Sequence, residues 1–154
     1  MACEAYVTFE GTKQGKFHSE TLQGHSKFEG SRILNFEFPV EWLGGGGVHS
    51  GHATGKRQWG PIKIVKEWGA ASPQLLGALA SHESLKVKLQ FTKPSQDGKE
   101  TVYYTIQLTN ALIELIQPHH SPQHKGKALH EITLSYQGLH STGHFDVAGK
   151  HAMV

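Results

Sequence analysis

Three features of the sequence point to a mainly β chain, a closed or nearly closed antiparallel β-barrel with one short α-helix and a long extended loop. The first is LKVKLQFT from Leu85, where Leu85, Val87, Leu89 and Phe91 share one face and Lys86, Lys88, Gln90 and Thr92 the other. The second is Val102–Thr109, which sets Val102, Tyr104, Ile106 and Leu108 against Tyr103, Thr105, Gln107 and Thr109. A period of two residues marks half-buried antiparallel strands. The third is the Gly/His-rich stretch between Trp42 and Pro61, which interrupts the strands as a long arm; an arm of that length on a small β-domain is usually functional.

The remaining elements follow in order. Glu4–Glu10 alternates Ala5, Val7 and Phe9 with Tyr6, Thr8 and Glu10 and predicts a strand. A short strand is expected around Lys16–Leu22. Arg32–Phe38 predicts another, with Leu34, Phe36 and Phe38 on one side and Pro39 at its end or exposed edge. The loop covers Gly44–Arg57, about 43–58 at its widest. Pro61–Trp68 is extended again, with Ile62 and Ile64 facing together. Ser72 is the expected N-cap of the single helix, with Pro73 in the first helical position and Leu75, Leu76 and Leu79 as its apolar stripe. It should end near Ser81 or His82. So short a helix has to pack on the barrel or plug its end. Pro94 and Asp97-Gly98 supply a turn between the two clean strands. A change of phase near Asn110 suggests a bulge in the second of them. Pro118–Lys127 is a polar loop, and His130–Tyr136 the last strong strand, with Ile132, Leu134 and Tyr136 alternating. Strands on both sides of one helix exclude a βαβ arrangement. The whole chain, 1–154, is expected to be one domain, which its 154 residues suit.

Charge and composition narrow the function. A formal net charge of +2 is too small to imply a nucleic-acid or membrane-surface partner. Twelve histidines add positive charge as pH falls below about 6.5, so assembly is expected to be sensitive to pH. Cys3 is the only cysteine, which rules out an internal disulfide and favours folding in a reducing compartment. The opening MACEAYVTFEG lacks the basic and apolar regions of a signal peptide, and no apolar run reaches the roughly 20 residues of a membrane helix. A cytoplasmic product is the expectation, and if it leaves the cell it does so by a route that needs no N-terminal signal.

Candidate sites were weighed against plainer readings. In GHATGKR, Gly51–Arg57, the glycine spacing is one residue short of a phosphate-binding loop and Arg57 stands where Ser or Thr is required. A flexible arm with a basic tip, aimed at an acidic surface of a neighbouring subunit, is the better reading. His49 and His52 are three apart and His119, His120 and His124 cluster, but no Cys pair or HExxH helix holds them for a metal. Glu114 and Glu131 could face each other across strands. Trp42, Trp59 and Trp68 flank the arm and are read as core. No nucleophile elbow is present, so no catalytic residue, metal or cofactor is assigned.

GKRQWGPIKIVKEWGAASPQLLGAL (Gly55–Leu79) and YYTIQLTNALI (Tyr103–Ile113), with AYVTFEG (Ala5–Gly11) as a weaker match, resemble the haemolysin-coregulated protein (Hcp) family, the tube protein of type VI secretion. The order of elements agrees along most of the chain, whereas the tail 137–154 matches poorly. The resemblance implies an antiparallel two-sheet β-barrel with one short flanking α-helix and a long extended loop, forming hexameric rings that stack into a hollow tube. A contractile sheath drives such a tube out behind a spike protein, from a baseplate, in some cases with small effectors in the lumen. It implies no catalytic residues. The residues expected at subunit or ring interfaces are Val48, His49, His52, Lys56 and Arg57 of the arm and the charged pair Lys66 and Glu67. The alternatives are a small-ligand-binding β-barrel module and a small hydrolase using loop histidines.

Overall fold

The computed structural model describes residues 4–19, 30–43, 56–94, 97–147 and 150–153. Strand β1, Glu4–Gly11, turns back into the two-residue β2, Gly15–Lys16. Strand β3, Ser31–Glu37, precedes a two-stranded ribbon of β4, Val40–Leu43, and β5, Lys56–Trp59, at the base of the arm. The expected loop is thus shorter than predicted, because Lys56 and Arg57 pair with Leu43 and Trp42. Strand β6, Ile62–Glu67, leads into helix α1, Ser72–Ser81. Strands β7, Leu85–Pro94, and β8, Glu100–His119, form the long hairpin, and β9, Leu129–Ser135, follows a single 3-10 turn at Pro122–His124. The tail adds β10, Gly138–Val147, and β11, Lys150–Met153.

Every pairing is antiparallel. β1 pairs with β7, β7 with β8, β8 with β9, β9 with β6, β6 with β3 and β3 with β1, so the barrel closes. Closure removes the open sheet edges that would otherwise template aggregation. Strand β8 makes this possible by changing partner along its length. Its first part lies between β7 and β10, and Leu112–His119 pairs with β9. The expected irregularity near Asn110 is at that change: Asn110 has φ +50°, and the β7–β8 register shifts between Leu85 and Val87. Ser84 Oγ donates to Asn110 Oδ1 at 3.2 Å, and Asn110 Nδ2 donates to Gln137 Oε1 at 3.2 Å, fixing both flanks.

The inward positions fill the barrel. Val7, Ile62, Ile64, Leu85, Leu89, Leu108, Ile132 and Leu134 are almost wholly buried. Each such side chain contributes about 1.5–3 kcal/mol relative to exposure. Leu75 and Ala78 of α1 join the same core, so the helix packs on the barrel as its length requires.

Four local expectations are corrected. In β7 the register shifts between Phe91 and Thr92, so Thr92, expected outward with Lys86 and Lys88, is buried. The cap of α1 is Ala71, one residue earlier than Ser72; the Ser72 hydroxyl instead accepts the Gly69 N–H at 2.9 Å. The buried stripe of α1 is Leu75 and Ala78, with Leu76 45% exposed, since 100° per residue carries position 76 off the face that 75 and 78 define. In β3 the register shifts between Ile33 and Asn35, which puts Ile33 rather than Leu34 into the core beside Phe36.

Gly11 is one of several described glycines whose bare Cα admits a close neighbour. A Cβ there would fall 1.7 Å from Glu83 Oε2. That carboxylate is buried under the β1–β2 turn and accepts the Gln14 N–H at 3.3 Å.

Candidate assembly surface

Of the residues expected to make contacts, Val48, His49 and His52 lie outside the described residues, as does Cys3. Lys56 and Arg57 belong to the β4–β5 ribbon, which fixes their backbone position at the root of the arm. Lys66 and Glu67 are adjacent in β6 but have opposite fates. Glu67 is exposed. Lys66 is fully buried, because it has the same strand parity as Ile62 and Ile64 and so points into the barrel. Its Nζ donates to the Glu67 carbonyl at 2.8 Å.

The neighbour of Lys66 across the β6–β9 pair is His130, also fully buried. Neither ring nitrogen of His130 has a hydrogen-bond partner. Burial first, and then the Lys66 charge, lower its pKa from 6.5 to about 4. The imidazole is therefore neutral near pH 7 and packs against the Trp68 ring, with centroids 4.4 Å apart. Trp68 itself is 38% exposed, so it lids this polar pocket rather than joining the core as the sequence reading expected. Trp68, Leu76 and Leu115 are the exposed large apolar side chains among the described residues. Singly, exposed apolar residues are ordinary. Nothing in the sequence separated these three from buried neighbours of the same type.

The other chemistry-bearing residues do not converge. Glu131 accepts from Gln117 Nε2 at 3.0 Å and lies 3.7 Å from His119 Nδ1, while Glu114 accepts from Ser135 Oγ at 2.6 Å, so each carboxylate has a separate partner. His124 lies 3.4 Å from Ser121 Oγ. Among the described residues no group of three His, Cys, Asp or Glu side chains is placed to hold a metal. At the opposite end of the sheet, Tyr6 donates to Glu4 Oε2 at 2.6 Å and Glu4 pairs with Arg32 at 3.1 Å. Burial and the Glu4 hydrogen bond push the Tyr6 phenol well above its usual pKa. These contacts tie β1 to β3 and offer no nucleophile.

The described residues form a closed antiparallel barrel packed with its own side chains, flanked by one helix and by the two-stranded β4–β5 ribbon, and so define a small closed-barrel β protein. The family model described as "Type VI secretion system effector, Hcp" matches residues 6–142, and the chain belongs to that family. Over 151 residues it is 34% identical to the "Major exported protein" of Pseudomonas aeruginosa, covering 90% of this chain and 88% of that protein. Among solved structures, the secreted protein Hcp3 from Pseudomonas aeruginosa is similar at TM-score 0.71 and 25% identity, over 99% of this chain and 97% of that one. A crystal structure of an Hcp protein is similar at TM-score 0.77 and 21% identity, with 99% and 97% covered. No helix among the described residues is long and apolar enough to cross a membrane.

Proposed function

We propose that this chain is the structural subunit of a type VI secretion tube, a single-domain protein forming hexameric rings that stack into a hollow conduit. It is made in the cytoplasm and exported by the machine itself without a signal peptide. The observation that carries this reading is the family match, which runs through the barrel from β1 into β10. The likeness to a relative named for its export supports the route. Its partners are further copies of itself, the contractile sheath, the spike protein and the baseplate, with small effectors carried in the lumen. It performs no catalysis in this reading.

The physics of a ring agrees. A cyclic assembly joins two unlike surfaces of each copy. The arm on its β4–β5 base is one surface, and the exposed side chains Trp68, Leu76 and Glu67 around the β6–α1 junction are a candidate for its counterpart. A ligand-binding barrel would need an interior pocket; here side chains from every wall strand occupy the interior.

The test is the mass in solution, by size-exclusion chromatography with light scattering and negative-stain imaging. Six copies of the 16.9 kDa chain give a species of about 100 kDa with a central hole. A monomer at micromolar concentration would overturn the reading. Deleting Gly45–Thr54 should weaken stacking or neighbour contact more than the fold; a deletion protein that still forms normal tubes removes the arm from the interface.

A further inference from the structure

The outer face of the β1–β7–β8 sheet carries a groove of about 410 Å³. Its walls follow from strand register. Thr8, Lys88 and Gln107 line up across the three strands, and Glu10 lies between Lys86 on β7 and Lys16 on β2. All are on the outward parity, opposite the core residues Phe9, Val87 and Leu108. An adjoining cavity of about 290 Å³ shares Glu10, Lys86 and Thr109 and continues the depression toward Ser84 and Asn110. Three lysines therefore border the groove against one glutamate, and Lys86 and Lys88 are exposed.

We propose that this groove docks an extended acidic peptide segment of a partner protein. Charge selects the sign of the ligand: a concave surface bordered by lysines concentrates anions and steers their approach. The floor selects a peptide. Thr8, Gln107 and Thr109 present hydroxyls and an amide that both donate and accept, as a peptide backbone requires. The groove crosses three neighbouring strands, which at about 4.8 Å between strands and about 3.3 Å per residue gives room for about three residues of extended chain. No aromatic ring but that of Phe9, which faces the core, is among its lining, so it lacks the stacking platform of a single-strand nucleic-acid site. Lysine rather than arginine gives point charges without the planar fork that selects phosphate bidentately. The inference does not depend on the tube reading.

The experiment titrates the full-length protein into a fluorescently labelled peptide of eight glutamates and follows anisotropy, with a labelled thymidine oligonucleotide of equal charge in parallel. Saturable binding to the peptide is expected, weakened roughly tenfold or more in K86E/K88E and steeply reduced by salt. The control K125E/K127E makes the same change in net charge on the β8–β9 loop and should leave binding within about twofold of wild type. Circular dichroism checks folding, and K86Q/K88Q replaces the reversal if it does not fold. Unchanged binding in the groove variant, equal loss in the loop variant, or equal affinity for the oligonucleotide each overturns the proposal. Light scattering on the same samples separates the two readings, since a monomer that binds the peptide upholds this one alone.

Discussion

Two lysine-bearing strands of this barrel place the same residue type in opposite environments. In β7, Lys86 and Lys88 alternate with Val87 and Leu89 and project into solvent. In β6, Lys66 takes the parity of Ile62 and Ile64 and is fully buried beside a fully buried histidine. Parity and not residue type decides which way a side chain points. The β6 site then carries the cost of desolvating a charge, eased by the Glu67 carbonyl and covered by Trp68. The β7 lysines carry no such cost and remain available to a ligand.

Acidification gives the largest expected difference between the two regions. The folded-state pKa of His130 is depressed, so the stability it contributes is fully present above 6.5 and is lost as pH falls toward 4. The loss should reach about 3 kcal/mol at the bottom of that window, at about 1.4 kcal/mol per pKa unit. Urea denaturation at pH 7, 5.5 and 4.5 measures it, and H130F should flatten the dependence. An unchanged slope in H130F would show that other groups dominate acid lability. Next in size, K66A should destabilise by about 2 kcal/mol through the lost stem, whereas K86A stays within about 0.5 kcal/mol. The same pair sharpens electrostatically in K66M, which removes the charge facing His130. NMR titration should then show the histidine pKa moving up from about 4, still below its ordinary value because burial persists.

A carboxylate pair repeats the contrast on a smaller scale. Glu10 is exposed, while Glu83 is buried against the bare Cα of Gly11. G11A should displace that carboxylate and cost about 1–2 kcal/mol in thermal or chemical denaturation. The smallest effect on the fold is expected for L76A, within about 0.5 kcal/mol. Its consequence, if the chain forms the proposed rings and α1 faces a neighbour in them, should be a fall in solution mass by light scattering at unchanged melting temperature.

Much of the barrel was legible because alternation over Leu85–Leu89 of β7 and Ile106–Leu108 of β8, with the spacing of Ile62 and Ile64 in β6 and of Ile132 and Leu134 in β9, states which side chains are buried. The irregularity at Asn110 was legible from the break in that alternation, whereas the change of partner there was not. Other parts carried no such signal. The strand β10 is built from Gly138, Ser141 and Gly143 among few apolar residues, and its place is set by pairing with β8 rather than by propensity. The β4–β5 ribbon joins segments that the arm separates in sequence, so only pairing shows it. Lys66 is the instructive miss. Its parity with Ile62 and Ile64 was visible, yet its charge argued for the surface, and the cross-strand histidine that shares its pocket lies 64 positions away. The groove on β1, β7 and β8 was legible only as a polar face, since its concavity depends on three strands meeting in register.

The pairing of β1 with β7 has a consequence for synthesis. Glu4 meets Thr92, so β1 waits for a partner made 88 residues later. At about 5–20 residues per second that interval is roughly 4–18 s, during which the apolar face of β1 has no finished barrel to enter. Its other partners, β2 and β3, arrive earlier and engage only Glu10–Gly11 and Ala5–Val7. Until Leu85–Thr92 is made, the nascent chain therefore presents an unpaired strand edge, and its exposure to premature pairing with other nascent copies is greatest in this interval.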